Sequence, residues 1–156
     1  LFFAFWHFLA FPQVNPECEK STSLVFSGVK KQDHEFSPGN VITFDTAVIN
    51  TAGALNLNSG IFQVPRGAGG IFAFSFSSFT GKRTTCLWID VEKNGSVLFR
   101  IIDCNDRPNV EGDNVSFNFI EELQDGDTIR LKLHSGGYNS LHSSPTNNVI
   151  FSGIRL

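Results

Sequence analysis

The feature that most constrains the fold of this chain is a strictly alternating stretch from Gly70 to Phe76. Phenylalanines occupy every second position, and small or aliphatic residues lie between them (Phe72, Phe74 and Phe76 against Ile71, Ala73 and Ser75). A period of two is typical of a β-strand with one buried face. Three aromatic rings on one strand face require a thick apolar layer opposite them, and a second sheet supplies such a layer. The stretch therefore predicts a β-sandwich.

The composition is that of a single β domain. The chain has 156 residues, enough for one hydrophobic core but not comfortably for two. Phenylalanine occurs 17 times and charged residues make up only 17% of the chain, which favours a β core over a helical one. We find no helical period, and strand-like segments recur about every ten residues. We therefore expect an all-β sandwich or jelly roll.

The first part of the chain is expected to lie outside this domain. Residues 1–11 form an apolar run that is too short to span a bilayer, which needs about 20 residues. Such a run is typical of the core of a secretory signal. It would equally serve as an assembly segment packed against other subunits or lipid. Residues 12–21 contain prolines and polar residues and predict a linker, so we place the domain at residues 22–156.

A hairpin is predicted where Lys93-Asn94-Gly95 separates two alternating runs. A three-residue loop would align the apolar positions of the two runs (Leu87, Ile89 and Val91 with Val97, Phe99 and Ile101). Cys86 and Cys104 then share the opposite face near the far end of the hairpin, and we expect a disulfide between them. Two reduced core thiols are the alternative. Cys18 lies in the linker, where we expect it to bridge subunits or to remain a free thiol.

The last segment of the chain, residues 149–156, is apolar on both faces. A strand with two apolar faces is covered on both sides. In a sandwich the second cover is often another subunit. The segment therefore predicts a homo-oligomer.

Charge and motifs argue against several functions. The net charge is −3, and the basic doublets Lys30-Lys31 and Lys82-Arg83 cannot neutralise a row of phosphates, so we expect no nucleic-acid partner. The glycine-rich stretch Arg66–Gly70 leads into a strand, whereas a phosphate-binding loop leads into a helix. The sequence has no Gly-x-Ser-x-Gly nucleophile motif, so we expect no enzymatic activity. The histidines lack metal-ligand spacing and are expected at the surface (His7, His34, His134 and His142).

Ligand binding is therefore expected in loops, which carry recognition in this architecture. The loop of residues 136–147 contains side chains able to hydrogen-bond hydroxyls and to stack on a sugar ring (Tyr138, Asn139, His142 and Asn147). An ordinary polar loop has the same composition. Arg66, in another loop, is a further candidate for ligand binding.

Two kinds of modification or cofactor site are also considered. The carboxylates of the loop of residues 103–113 are candidates for binding calcium, the only cofactor that the sequence suggests (Asp103, Asp106, Glu111 and Asp113). The alternative is a solvated polar loop without a metal. Asn94 and Asn114 each begin an Asn-x-Ser sequon and are candidates for glycosylation in a secreted protein.

Several separately placed motifs resemble the globular head of the C1q family, within the wider C1q/TNF superfamily. The aromatic motif of that family is matched at the expected spacings (Phe44, Asn50, Leu55 and Phe62, then Gly70, Phe72, Phe74 and Phe76). The segment between Phe62 and Gly70 is longer than the usual pattern, which lengthens a loop. Further matches are found later in the chain (Leu123, Gly126-Asp127 and the terminal Phe151-Ser152-Gly153).

The resemblance covers residues 22–156 and implies a ten-stranded jelly roll that assembles as a trimer. The sequence contains no Gly-X-Y repeat and so resembles the stalkless secreted or cerebellin-like members, in which cysteines ahead of the domain link chains. We expect a secreted, non-enzymatic homotrimer that binds glycans or a protein receptor. The alternatives are a matrix protein, built from trimers linked through Cys18 and residues 1–11, and a cytokine-like ligand.

Overall fold

The computed structural model describes residues 23–80, 86–104, 113–136, 140–146 and 148–156. Over these residues the chain forms twelve β-strands and a short 3₁₀ turn at Thr51–Gly53. The strands are β1 (Val25–Lys30), β2 (His34–Phe36), β3 (Thr46–Asn50), β4 (Leu55–Asn56), β5 (Ile61–Gln63), β6 (Gly70–Thr80), β7 (Cys86–Lys93), β8 (Ser96–Cys104), β9 (Asn114–Leu123), β10 (Thr128–Leu133), β11 (Leu141–Ser143) and β12 (Val149–Arg155). In this part of the chain no helix is long and apolar enough to cross a membrane.

The strands form two antiparallel sheets. The seven-stranded sheet has the order β2-β11-β6-β12-β1-β3, and β9 pairs with the other edge of β6. The five-stranded sheet has the order β4-β5-β10-β7-β8. The predicted all-β jelly roll is confirmed. Twelve segments, rather than the ten implied by the resemblance, meet the hydrogen-bonding pattern of strands because very short pieces such as the two-residue β4 are included.

The central strand β6 has the orientation that its sequence predicts. Phe72, Phe74 and Phe76 are buried, and the residues between them face outward. β6 pairs with β9 along one edge and with β12 along the other, so its inward phenylalanines lie in the middle of the sheet. The rings of Phe26 from β1 and Phe62 from β5 stack across the two sheets with centroids 4.8 Å apart. Each such aromatic pair contributes about 0.5–1.5 kcal/mol beyond the burial of its area.

The aromatic packing leaves no space at Gly153 in β12. A Cβ at this position would lie against the rings of Phe26 and Phe74. Gly153 faces the core on the same side of the strand as Val149 and Phe151. The terminal Phe-Ser-Gly motif therefore combines one core ring with one position where only glycine lets two further rings approach.

The β7–β8 hairpin is present, but its loop has two residues rather than the predicted three. Asn94 and Gly95 form the turn with φ values of 52° and 81°, and Lys93 pairs directly with Ser96. Positive φ at both central positions is the conformation that Asn-Gly favours, because it matches the twist of the flanking strands. The prediction of the loop length is therefore wrong, while that of the hairpin itself is correct.

Part of the predicted register of the hairpin is wrong because β8 contains a β-bulge. Val91 pairs with Phe99 and Glu92 pairs with Val97, so β8 contains one extra residue between them. The extra residue turns Val97 to the other face of the sheet, where it is 51% exposed. Beyond the bulge, Phe99 and Ile101 pack against the core as expected.

Cys86 and Cys104 lie directly opposite each other and form a disulfide, as predicted. Their Cα atoms are 4.0 Å apart, and the bond closes a segment with a sequence separation of 18 residues. In the chain-entropy model a loop of this size stabilises the fold by about 3 kcal/mol. Cys18, the linker and the apolar residues 1–11 lie outside the described residues, so the predictions about them stay predictions.

Candidate functional site

The outer face of the seven-stranded sheet carries a contiguous set of exposed aliphatic side chains. Val25, Ile154, Ala73 and Ile120 form one row across β1, β12, β6 and β9, because each is paired with the next. We call this row, together with Ile49 and Ile71, the apolar face. Its isoleucines are 43–66% exposed in the single chain.

A shallow groove of about 740 Å³ runs over the apolar face. Serines border it, and one pair, Ser152 and Ser27, is linked by a hydrogen bond of 2.9 Å between the two hydroxyls. Single exposed aliphatic residues are ordinary on protein surfaces, but a contiguous patch marks a surface of interaction. The arrangement is therefore that of an interaction surface. It also explains the two-faced terminal strand β12: the inward face is buried in the chain itself, and the outward face belongs to the patch.

A second, partly open apolar surface lies at the edge of the sandwich between β8 and β9. Phe99 of β8 contacts Phe119 of β9 with ring centroids 5.2 Å apart, and both rings are only half-buried. Phe117 and Ile101 are likewise half-buried beside them. Each chain thus presents two different apolar surfaces, one on a sheet face and one on an edge. A ring of three or more subunits uses such a pair, since each subunit contacts one neighbour with one surface and the other neighbour with the second.

The glycine-rich loop before β6 binds an anion that belongs to the chain itself. The backbone N–H groups of Gly67 and Gly69 donate to the two carboxylate oxygens of Asp125 at 2.6 and 2.8 Å. These hydrogen bonds, first that from Gly67 and then that from Gly69, lower the pKa of Asp125 below its ordinary value. The loop therefore has the amide arrangement of an anion site, and the carboxylate of Asp125 occupies it.

Arg66, a predicted ligand-binding residue, borders a polar groove next to this loop. The groove has a volume of about 760 Å³ and lies between the 3₁₀ turn, β5 and the turn before β10. Its polar side chains are those of Asn56, Ser59, Gln63, Arg66 and Asp125, and Ile61 adds an apolar surface. Arg66 itself is exposed. The groove thus combines hydrogen-bond donors, hydrogen-bond acceptors and a small apolar surface, which together suit a hydroxyl-rich ligand.

Of the other predicted ligand-binding residues, the structure describes His142, and it does not lie near Arg66. His142 is in β11 and pairs with Phe79 near the end of β6, whereas Arg66 precedes the start of β6 at Gly70. Nine residues of strand separate the two ends by about 30 Å. The Nε2 atom of His142 lies 3.5 Å from a carboxylate oxygen of the exposed Asp33. Tyr138, Asn139 and Asn147 lie outside the described residues, so the predicted sugar site around them stays a prediction.

The calcium candidates are only partly described. Asp103 is paired with Leu87 beside the disulfide. Asp113 precedes β9, where its backbone N–H donates to the hydroxyl of Thr80 at 2.9 Å. Asp106 and Glu111 lie outside the described residues. Among the residues that the structure describes, no three histidine, cysteine, aspartate or glutamate side chains are grouped to hold a metal ion.

Sequence reasoning missed a cluster on the outer face of the five-stranded sheet. Asp90 is buried, and its two carboxylate oxygens lie 2.5 Å from Nε of Arg100 and 3.2 Å from Nδ1 of His134. The ring of Trp88 stacks on His134 at 5.3 Å, and the guanidinium of Arg100 lies 5.8 Å from the centre of the Trp88 ring. His134 is therefore half-buried in a network rather than an ordinary surface histidine.

Burial of Asp90 raises its pKa, but the hydrogen bonds from Arg100 and His134 outweigh burial, and the net pKa lies below the ordinary value. A neighbouring pair repeats the arrangement, with the buried Glu92 bonded to Arg130 at 2.5 Å. The signal in the sequence is the alternation of charges on β7 and β10, but it can be read only when the pairing of the two strands is known. The cluster consists of satisfied ion pairs, which indicates a structural role.

The two sequon asparagines occupy different settings. Asn94 is in the β7–β8 turn, and its side chain hydrogen-bonds to Asp127 and Thr128. Asn114 is the first residue of β9 and is exposed.

Comparison with solved structures supports the fold. The globular domain of zebrafish complement 1qA protein superposes with a TM-score of 0.67 at 16% identity, over 85% of this chain and 96% of that chain. Murine APRIL at pH 5.0 gives a TM-score of 0.62 at 19% identity, over 85% of this chain and 98% of that one. Eiger TNF from S. frugiperda gives 0.64 at 10% identity, over 86% of this chain and 91% of that one. At these identities the likeness shows the fold alone.

Family membership rests on the sequence. No curated protein sequence matches the chain. The family model of the C1q domain matches residues 25–156, which is most of the chain and contains every described strand. The aromatic motif that the sequence analysis identified lies within this range, and its phenylalanines form the core between the two sheets. The chain therefore belongs to the C1q domain family.

Proposed function

We propose that this protein is a secreted, non-enzymatic recognition module that acts as a homotrimer and binds a glycan through the groove beside Arg66. Domains of the C1q/TNF type in general mediate extracellular recognition and trimerisation and are generally non-enzymatic. The observation that carries the proposal is the apolar face, whose exposed isoleucines need a cover in water. A protein receptor at the same groove is the second candidate ligand.

The two apolar surfaces support the trimer. The edge formed by Phe99 and Phe119 and the sheet face around Ile120 and Ile154 are different patches on one chain. Contact between unlike patches generates a ring when the rotation closes. In the family to which the chain belongs this ring has three members. Both patches become buried in every subunit of such a ring.

The glycan is supported by the chemistry of the groove beside Arg66. The guanidinium of Arg66 presents several N–H donors in a fixed geometry, and the amides of Asn56 and Gln63 both donate and accept. Ring oxygens and hydroxyls of a sugar match such a set. Three copies of a weak site on one trimer raise the avidity for a surface with repeated ligands, because the second and third contacts are intramolecular.

The proposal is tested by binding of the purified protein to a glycan array, with Arg66→Ala and His142→Ala as a matched pair. Both residues are polar and were predicted to bind ligand, but Arg66 lies near the start of β6 and His142 lies near its end. We expect Arg66→Ala to weaken the binding of every glycan bound by the wild type at least about tenfold, equivalent to 1.4 kcal/mol. His142→Ala should leave it unchanged. Loss of binding in His142→Ala with retention in Arg66→Ala would place the site at the other end of the molecule and contradict the proposal.

A further inference from the structure

The side chain of Asn94 is a part of the fold. Its Nδ2 donates to a carboxylate oxygen of Asp127 at 2.8 Å, and its Oδ1 accepts from the backbone N–H of Thr128 at 2.9 Å. The backbone N–H of Asn94 donates to the carbonyl of Thr128 at 3.1 Å. These bonds tie the β7–β8 turn to the start of β10. The amide of Asn94 therefore has both of its ends engaged.

A sugar on Nδ2 of Asn94 would have to fit into this junction. It would replace one of the two amide hydrogens beside Asp127, whose carboxylate also lies 3.7 Å from the ammonium group of Lys93. The backbone leaves little freedom to move the side chain away, because Asn94 has a φ of 52° and Gly95 follows it in the tight turn. A bulky substituent at Asn94 thus has only the second hydrogen position of Nδ2 available to it, beside the contacts that define the turn.

Asn114 has the opposite properties. It is the exposed first residue of β9, and its backbone N–H donates to the carboxylate of Asp113. Within the described part of the chain its side chain makes no hydrogen bond. Ser116, which completes the sequon, is exposed on the same outer face. A carbohydrate at Asn114 therefore displaces no described contact of the fold.

The outer face of β6 and β9 changes in polarity along its length. Ala73 and Ile120 face each other in the apolar face, whereas Ser77 and Ser116 face each other farther along. Asn114 lies on the same face two pairs farther along, opposite the half-buried Phe79. Six residues of strand separate Asn114 from Ile120, about 20 Å. A hydrophilic oligosaccharide at Asn114 therefore lies at the end of the sheet away from Ile120 and leaves the apolar face open for assembly.

We propose that Asn114 carries an N-linked oligosaccharide and that Asn94 does not. In the transfer, Nδ2 of Asn114 forms a bond to the anomeric carbon of an oligosaccharide delivered by a lipid-linked diphosphate donor. The bond from that carbon to the diphosphate breaks, the lipid diphosphate leaves, and Nδ2 gives up one proton. The inference rests on the secretion included in the proposed function, since the donor acts on chains that enter the secretory route.

The test is expression of the full chain behind a leader peptide in animal cells, with mass measurement before and after an amidase that removes N-linked glycans. Cell-associated and secreted protein are both analysed, so that failure of secretion is seen separately from failure of modification. The variants are Ser116→Ala and Ser96→Ala, each of which removes one sequon and keeps its asparagine. Ser96 is exposed and is therefore a matched control for Ser116.

We expect the wild type and Ser96→Ala to lose the mass of one oligosaccharide on enzyme treatment, and Ser116→Ala to show no change. A wild type without any glycan, two glycans on the wild type, or loss of the glycan in Ser96→Ala would overturn the inference. The oligomeric mass of the enzyme-treated protein tests the proposed trimer independently. If the chain carries no glycan but still forms a trimer, the glycosylation inference fails and the proposed trimer stands.

Discussion

Asp90 shows how single residues hold the outer face of the five-stranded sheet together. Its carboxylate is almost fully buried, yet it lies on the side of β7 that points away from the core. The long side chain of Arg100 and the ring of His134 cover it and supply its hydrogen bonds. A buried carboxylate is tolerated only when such partners are present, because an unpaired buried charge is strongly unfavourable.

We predict that Asp90→Asn lowers the free energy of unfolding by about 2 kcal/mol, since it removes charged hydrogen bonds to Arg100 and His134 and preserves the shape of the side chain. Asp33→Asn is the control, because the side chain of Asp33 is 81% exposed. Its effect should stay within about 0.5 kcal/mol. Urea denaturation of both variants measures the difference. Equal midpoints for the two variants would refute a structural role for Asp90.

Acid sensitivity follows from the aspartates whose pKa is lowered. Asp90, Asp125 and Asp127 all titrate below their ordinary value in the folded chain. Groups of this kind stabilise the fold above the unfolded pKa, about 3.9, and lose this contribution as the pH falls through the folded pKa. We predict a stability that is nearly constant from pH 7 to pH 5 and falls below about pH 4. Thermal melts across this range, with Asp125→Asn giving a shallower decline, check the prediction, and a rise in stability on acidification would contradict it.

At the scale of single elements, β6 was predictable and the β7–β8 hairpin only in part. The alternation of Phe72, Phe74 and Phe76 survives unchanged because β6 is regular and paired along both edges. In the hairpin, the extra residue of the bulge moves Val97 to the opposite face, and nothing local in an exposed strand indicates where a bulge lies. The Asp90 cluster was not predictable either. It joins three strands, so its charges can be matched only after the register is known.

The groove beside Arg66 shows a similar limit. Arg66 was identified from the sequence, but Asp125, which borders the same groove, comes from a distant part of the chain and is brought there only by the sheet topology. The glycine-rich loop was correctly distinguished from a phosphate loop because a strand follows it. The carboxylate of Asp125 accepts hydrogen bonds from the amides of this loop, and such a long-range contact cannot be predicted from sequence periodicity.

At the scale of the whole molecule, the chain has one sheet face that differs from the rest of its surface. The outer face of the five-stranded sheet carries ion pairs as well as exposed aliphatic residues such as Ile102. The outer face of the seven-stranded sheet carries its exposed isoleucines in one contiguous patch, among them Ile120 and Ile154. This asymmetry is the basis of the proposed trimer. It also accounts for the terminal strand β12 being apolar on both faces, because its outward apolar residues would stay exposed to water in a monomer.

We predict that Ile120→Asp and Ile154→Asp each dissociate the trimer, because a carboxylate would be placed without a partner in an apolar contact. Ile102→Asp is the matched control. Ile102 is 56% exposed, but it pairs with Trp88 on the outer face of the other sheet. It should therefore leave the assembly intact.

The measurement that tests the central claim most directly is the mass of the protein in solution at micromolar concentration, by light scattering after size exclusion. The account predicts a single species of three times the chain mass of 17.2 kDa for the wild type and for Ile102→Asp. It predicts the chain mass itself for Ile120→Asp and Ile154→Asp. A monodisperse wild type at 17.2 kDa would contradict the account.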